Sequence, residues 1–274
     1  MRAIYLEAET AFLRWVEVPG DGPALVWIHG IWCSSTGELI AAAVQPPLRG
    51  RRSLLVDLLG YGYSDRPTDF PYTVEAHART VVTLLDSLGL DRCVLFGHSM
   101  GGTIATHVAA ARPGVVRALV LAESTIEAGG GFISGPIAGR DEGEFVAGGF
   151  QSMLAEQRRQ AVDSGGIQAA HLGITSLVSG VALHHAAVSL SRDTDPPTRA
   201  VLAGLPMPRY YLNGELSTAS ALQPQEDLIA AGVEWRTVPA TGHPMALQNP
   251  LGLAEILADI VARSERAPHG DGGR

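Results

Sequence analysis

The chain has 274 residues, of which 46% are hydrophobic and 18% are charged, so it can bury a sizeable core and lacks the composition of a disordered protein. A formal net charge of −8 and the lack of a Lys or Arg cluster argue against a nucleic-acid partner. Cys33 and Cys93 are the only cysteines, which is too few to suggest a disulfide framework or a thiolate metal site.

The N-terminal segment carries two glutamates where a signal peptide would need an uninterrupted apolar stretch. The longest run without charged residues, Ser164 to Ser191, exceeds the roughly 20 residues that span a membrane. Gln168 and several histidines, serines and glycines interrupt this run. These features predict a cytoplasmic protein with no membrane partner.

The first part of the chain alternates short apolar runs with segments of helical spacing. The runs predict buried strands at 24–29, 53–58, 93–98 and 117–122, and the spacing predicts helices at 74–88 and 102–111. Strands that alternate with helices in this way are typical of an α/β fold, in which helices cover both faces of a parallel sheet.

This alternation stops at residue 129, and no strand pattern returns until 208–213. We interpret 129–202 as an insertion that covers one end of the sheet, with a separate second domain as the alternative. The core would then comprise 1–128 and 203–264, including a helix near 223–231, a strand at 233–239 and a helix at 251–263. A disordered tail is expected at 265–274.

The segment Gly97-His98-Ser99-Met100-Gly101 matches G-x-S-x-G and lies between a predicted strand and a predicted helix. That context favours a nucleophilic Ser99 on a strained turn over an ordinary strand-to-helix turn. A serine needs a neighbouring base, and His243 follows the last predicted strand, at the same edge of the sheet. We expect His98 to be structural.

Four motifs resemble the α/β-hydrolase family in order and approximate spacing: IHGIW at 28–32, DLLGYGYSDRP at 57–67, GHSMGG at 97–102 and ATGHPMALQNP at 240–250. The resemblance covers nearly the whole chain except the insertion, which lies where that family places its lid. It implies a mostly parallel eight-stranded sheet, helices on both faces, an inserted helical lid and a Ser–acid–His triad in that chain order. It implies no cofactor and no metal.

The same resemblance implies an oxyanion hole formed by the backbone N–H groups of Ile31 and Met100. The acid departs from the family pattern, because the usual aspartate position after strand 208–213 holds Ser217. Glu123, which follows strand 117–122, is the preferred candidate, since some family members place their acid at that strand end. Glu215 is the second candidate, and a site with no acid is the third.

These features predict a serine hydrolase that cleaves a carboxylic ester or lactone of a small to medium hydrophobic substrate through an acyl-enzyme. Thioesters, amides and C–C bonds are alternative substrates, because a serine triad cleaves all of them. A low-turnover receptor on the same scaffold is an alternative from another class. The nucleophile argues against the dehalogenases and epoxide hydrolases of this fold, which use aspartate. We expect the substrate to contact Trp32, Phe132, Phe145 and Phe150.

Overall fold

The computed structural model describes residues 1–129, 131–218 and 225–266. Its strands form one eight-stranded sheet in the order β1-β2-β4-β3-β5-β6-β7-β8. The strand β2 runs antiparallel to β1 and β4, and the other neighbouring pairs are parallel. The strands are β1 (Arg2–Leu6), β2 (Ala11–Val18), β3 (Asp21–Ile28), β4 (Arg51–Asp57), β5 (Cys93–His98), β6 (Val116–Ala122), β7 (Arg209–Gly214) and β8 (Val233–Val238).

Helices connect the parallel strands and fill the segment between β6 and β7. A π-helical turn (Ser35–Leu39) precedes α1, and a second (Phe145–Gly149) precedes α6. The α-helices of the described residues are α1 (Ile40–Ala43), α2 (Val74–Ser87), α3 (Met100–Ala111), α4 (Ser134–Ala138), α5 (Glu142–Glu144), α6 (Phe150–Ser164), α7 (Gly166–Thr175), α8 (Gly180–Ser191), α9 (Thr198–Gly204), α10 (Gln225–Ala230), α11 (Met245–Gln248) and α12 (Pro250–Arg266).

Both faces of the sheet are buried, as the near-continuous apolar strands predict. Successive residues of β3 point to opposite faces, so Leu25 and Trp27 lie in one core and Val26 and Ile28 in the other. The first core is covered by α1 and α12, and the second by α2, α3 and α8. The structure confirms the predicted mostly parallel eight-stranded sheet with helices on both faces.

The two N-terminal strands are absent from our strand-by-strand prediction. They lie at the edge of the sheet, and β1 is largely exposed, while β2 alternates buried and exposed positions. Neither therefore contains the continuous apolar run that marks β3 or β5. The strand β5 has the predicted bounds, whereas α3 begins at Met100, two residues earlier than predicted.

The described residues between β6 and β7 form helices α4 to α9 and no strand. This segment is hydrogen-bonded to the loop after β4: Ser179 donates its N–H to the carbonyl of Gly60 across 2.8 Å. Arg66 Nη2 donates to the carbonyl of Leu177 across 2.6 Å. The helical layer therefore packs directly on the core, and its boundaries as a separate lid stay a prediction.

The C-terminal helix α12 continues through Arg266, so residues 265 and 266, which we predicted to lie in a disordered tail, are helical. Glu265 is held there by Arg51 of β4, whose Nη2 donates to Oε2 across 2.9 Å. The rest of the predicted tail lies outside the described residues. In the described part of the chain no single helix is long and apolar enough to span a membrane; α7 and α8 meet that length and composition only as a pair bent by 99°.

Candidate active site

Ser99 lies on a strained turn between β5 and α3. Its backbone has φ 54° and ψ −122°, a conformation that non-glycine residues rarely adopt and that is concentrated at functional sites. Hydrogen bonds hold the turn, since Ser99 donates its N–H to the carbonyl of Ala122 across 2.8 Å. The chain passes so closely that a Cβ on Gly97 would lie 2.3 Å from the carbonyl oxygen of Gly101. Glycine is therefore required at position 97, two residues before the serine.

A second turn, after β3, lies against Ser99. A Cβ on Gly30 would lie 2.9 Å from the Cβ of Ser99, so only a glycine backbone approaches this closely. Gly30 precedes Ile31, and Ser99 precedes Met100, the first residue of α3. Ile31 and Met100 thus belong to two adjacent turns. That their N–H groups bind an oxyanion stays a prediction.

His29 fixes the shape of this second turn. The backbone N–H of Leu58 donates to Nε2 of His29 across 3.1 Å, so Nε2 is an acceptor. The proton of the neutral ring is then on Nδ1, which lies 2.8 Å from the carbonyl of Gly30 and donates to it. Burial lowers the pKa of His29, although Asp57 opposes this effect, so the neutral form is favoured.

Glu123 immediately follows β6, at a positive φ of 48°. Its Oε1 accepts a hydrogen bond from the N–H of Gly214 across 2.7 Å, and its Oε2 accepts one from Oγ of Ser217 across 2.9 Å. Nδ1 of His243 lies 3.7 Å from the same Oε2, which is an ion-pair distance when the imidazole is protonated.

The environment of Glu123 favours its carboxylate. Burial opposes ionisation, but contact with His243 and the hydrogen bonds from Gly214 and Ser217 together lower the pKa of Glu123 below its ordinary value. A negative charge is therefore present beside the His243 ring at neutral pH.

The second candidate acid has a different partner. Glu215 accepts a hydrogen bond on Oε2 from the N–H of Ala240 across 2.8 Å, which ties the turn after β7 to the turn after β8. Within the described residues, the ion pair of His243 is with Glu123. The structure thus brings Glu123 within 3.7 Å of the histidine ring, whereas Glu215 bonds the turn at Ala240.

His243 lies in the loop between β8 and α11, and its backbone is also anchored. Its carbonyl oxygen lies 2.9 Å from Nε2 of His98, the residue before Ser99. The two imidazole rings have centroids 4.8 Å apart. The loop that carries His243 is therefore attached directly to the turn that carries Ser99. Sequence reasoning placed His98 as structural but missed this contact, because the two residues are 145 positions apart.

The predicted substrate-contacting residues divide into two groups. Phe132 is 58% exposed and its ring stands perpendicular to that of His243, with centroids 5.4 Å apart. Trp32 is buried directly after Ile31, in the left-handed region at φ 67°. Phe145 and Phe150 are buried in the helical layer with centroids 6.3 Å apart, so the structure places them in packing contacts with each other. A substrate contact for any of the four stays a prediction.

Asp57, at the end of β4, is a site-supporting residue that sequence reasoning missed. Its Oδ1 accepts from the N–H of Thr36 across 3.0 Å, and its Oδ2 accepts from Oγ1 of the same residue across 2.6 Å. Oδ2 also accepts from the N–H of Tyr63 across 3.0 Å. Asp57 thus joins the loop after β4 to the segment that follows the Gly30 turn. The sequence did offer a signal for Asp57, because it shows an acidic residue near the end of the predicted strand 53–58.

Two groups of side chains in the described residues have the spacing of a metal site, with potential ligand atoms within 4.8 Å of one another: the buried Cys33, Glu38 and His98, and the more exposed Glu142, His184 and His185. In the first group, burial and the neighbouring Glu38 raise the pKa of the Cys33 thiol well above its ordinary value, which disfavours the thiolate that metals bind. In the second, Nε2 of His185 contacts Oε1 of Glu142 across 2.9 Å as an ordinary surface pair.

Similarity to known proteins agrees with this architecture. Haloalkane dehalogenase 2 of Mycobacterium bovis is 39% identical over 105 residues, which are 37% of this chain and 35% of that protein. The 2-hydroxymuconate semialdehyde hydrolase of a Pseudomonas species is 36% identical over 141 residues, 51% of this chain and 47% of that protein. The chain thus spans less than half the length of these two relatives.

Among solved structures, a thermophilic esterase from Thermogutta terrifontis superimposes with a TM-score of 0.76 at 20% identity, over 96% of this chain and 98% of that one. This similarity shows a common fold. A family model described as the alpha/beta hydrolase fold matches residues 23–202, about two thirds of the chain. The protein therefore belongs to the α/β-hydrolase family.

Proposed function

We propose that this protein is a serine hydrolase that cleaves a carboxylic ester or lactone through an acyl-enzyme, with Ser99 as nucleophile, His243 as general base and Glu123 as the orienting acid. The observation that carries the proposal is the contact of Oε2 of Glu123 with Nδ1 of His243, 3.7 Å apart, at the sheet edge where Ser99 stands on its strained turn. With Nδ1 facing a carboxylate, Nε2 is the nitrogen left to exchange protons with Ser99.

In the acylation step, Oγ of Ser99 attacks the substrate carbonyl carbon while Nε2 of His243 takes the hydroxyl proton. The Glu123 carboxylate stabilises the resulting imidazolium. Collapse of the tetrahedral intermediate breaks the acyl C–O bond, and His243 gives its proton to the departing alkoxide. In a lactone that alcohol stays attached to the acyl group.

In the deacylation step, water attacks the carbonyl carbon of the ester formed on Ser99, and His243 takes a proton from that water. The second tetrahedral intermediate releases the carboxylic acid, and the proton returns to Oγ of Ser99. The N–H groups of Ile31 and Met100 would stabilise the oxyanion in both steps. Each such donor is typically worth about 10²–10³ in rate.

The hydrophobic character of the substrate is the least constrained part of this proposal. Phe132 beside the His243 ring and Trp32 after the oxyanion turn supply apolar surface next to the reacting groups. We propose that the helical layer between β6 and β7 acts as a lid over this surface. A small to medium acyl group matches such a site better than a phosphorylated or highly charged one.

Cleavage of a C–C bond is the second candidate, favoured by the similarity to 2-hydroxymuconate semialdehyde hydrolase over half of this chain. It needs the same serine triad but a carbon leaving group. Dehalogenation, the activity in the name of another relative, is disfavoured here because family members that remove halide use an aspartate where this chain has Ser99.

The deciding experiment is a substrate panel assayed with the purified protein: p-nitrophenyl esters of increasing acyl length, lactones, a thioester, an amide, a vinylogous β-diketone and a haloalkane. We expect turnover of esters or lactones. Ser99→Ala should abolish it, while Ser87→Ala on the surface of α2 should not. Turnover of the β-diketone alone would replace the proposal by C–C hydrolysis, and a single burst without turnover would indicate a receptor.

A further inference from the structure

Glu38 is a fully buried carboxylate that the proposed chemistry does not use. It lies in the π-helical turn Ser35–Leu39, shortly after the oxyanion turn, and is 1% exposed. Within the described residues neither of its oxygens accepts a hydrogen bond from an N–H or O–H group, and its hydrogen-bond partner is the weakly donating thiol of the buried Cys33. A second titratable neighbour is His98, whose Nδ1 lies 3.5 Å from Oε1. Burying a carboxylate is energetically costly, so its neighbours should show what it contributes to the site.

The two ring nitrogens of His98 connect Glu38 to the backbone of His243. Its Nε2 lies 2.9 Å from the carbonyl oxygen of His243, and a carbonyl oxygen only accepts hydrogen bonds, so Nε2 carries a proton. Nδ1 then faces Oε1 of Glu38. When either Nδ1 or Oε1 carries a proton, this 3.5 Å contact is attractive and favours the ring orientation that aims Nε2 at the His243 carbonyl.

The pair therefore connects three segments of the site. Glu38 belongs to the segment that follows the oxyanion turn, His98 precedes the nucleophile, and the acceptor is the backbone of the general base. All three meet in the interior, since Glu38 and His98 are 1% and 2% exposed. The other titratable groups of the described residues that interact with the pair are Cys33, His29, His171, Glu123 and the His243 ring itself.

We propose that Glu38 and His98 are positioning residues, which hold the backbone of His243 in register with Ser99 through a buried carboxylate–imidazole–carbonyl chain. This role rests on the serine-hydrolase function proposed above. Neither residue reacts with the substrate: each acts through the position of His243. Misplacing a catalytic group by about 1 Å can cost about 10²-fold in rate, so the bridge is expected to affect kcat more than KM.

The test compares conservative and disruptive replacements at both positions. His98→Phe and Glu38→Leu remove the polar contacts and should lower kcat about 10²-fold with KM changed by less than about threefold. His98→Gln keeps a donor for the His243 carbonyl, and Glu38→Gln keeps a polar partner for His98, so both should recover part of the loss. Because the two residues act through one carbonyl, the double variant His98→Phe/Glu38→Leu should be no slower than the worse single variant.

His77→Phe is the matched control, because His77 is also fully buried but lies in α2 among Tyr61, Phe70 and Tyr72. It should change the melting temperature without lowering kcat. Wild-type kcat in His98→Phe and Glu38→Leu, additive losses in the double variant, or loss of kcat when a chelator removes a bound metal would each overturn the positioning role. Activity that survives Ser99→Ala would instead overturn the proposed function, so the two failures are distinguishable.

Discussion

Ser217 donates a hydrogen bond from Oγ to Oε2 of Glu123 across 2.9 Å, joining the end of β7 to the end of β6. Ser217 occupies the position at which the family commonly has its acid. In the proposed triad the charge would come from Glu123 at the end of β6, and Ser217 after β7 would support it with this hydrogen bond. The two strands are neighbours in the sheet, which makes this arrangement geometrically simple.

Replacing Glu123 by glutamine should lower kcat strongly. The amide preserves the size of the side chain but removes the charge that stabilises the His243 imidazolium, and kcat should fall by up to about 10⁴-fold. Glu215→Gln is the matched control and should do much less, because Glu215 supports the turn at Ala240. Steady-state kinetics on the best ester decide the matter. A large loss of kcat in Glu215→Gln together with near wild-type kcat in Glu123→Gln would show that the acid is Glu215, after β7.

The hydroxyl of Ser217 should have a smaller effect. Hydrogen bonds to charged groups contribute about 1.5–3 kcal/mol, so Ser217→Ala should lower kcat roughly 10-fold by loosening Glu123. In the Glu123→Gln background, Ser217→Asp should restore part of the rate by returning a carboxylate to the family's usual position. No gain in that double variant would mean that the β7 turn does not direct a carboxylate to His243.

Sequence reasoning succeeds where function depends on local pattern. The Ser99 turn was predictable because Gly97 and Gly101 lie two residues from the serine in sequence, and Glu123 was predictable as a candidate because it closes an apolar strand. The His98–His243 contact was not, because nothing local distinguishes a packed histidine from one that bonds a carbonyl 145 residues away. Phe145 and Phe150 show the same limit, since apolar lid residues that pack together have the same sequence signature as residues that line a pocket.

The close approach of Gly30 to Ser99 predicts strong intolerance of a side chain at that position. A Cβ there would lie 2.9 Å from the Cβ of Ser99, so Gly30→Ala must displace the turn that carries Ile31. If the Ile31 N–H is lost as an oxyanion donor, kcat should fall about 10²–10³-fold. Gly114→Ala, at a position with open space, is the control. Wild-type kcat in a folded Gly30→Ala variant would exclude this turn from the oxyanion hole.

The depressed pKa of Glu123 predicts a pH-dependent contribution to stability. A carboxyl group whose pKa is lower in the folded state stabilises the fold above its unfolded-state pKa, about 4.3, and this contribution is lost as pH falls through the folded-state value. The difference in melting temperature between the wild type and Glu123→Gln should therefore be largest above about pH 5 and shrink in more acid solution. A melting-temperature difference that grows as the pH falls would contradict a lowered pKa for Glu123.

Phe132 offers a test of substrate contact. Because its exposed ring stands against His243, Phe132→Ala should raise KM roughly 10-fold for long acyl esters while leaving acetate esters nearly unchanged. Val162→Ala, at a highly exposed position of α6, is the control. An equal change across all acyl lengths would show that Phe132 affects the His243 ring rather than the acyl group.

The central claim, covalent catalysis by Ser99, is tested most directly by rapid-quench mass spectrometry during turnover of a chromogenic ester. The enzyme should gain the mass of one acyl group within the burst, and peptide mapping should locate it on Ser99. The adduct should disappear as substrate is exhausted and be absent in Ser99→Ala. Turnover with no acyl adduct, or an adduct on another residue that forms at the catalytic rate, would contradict the account.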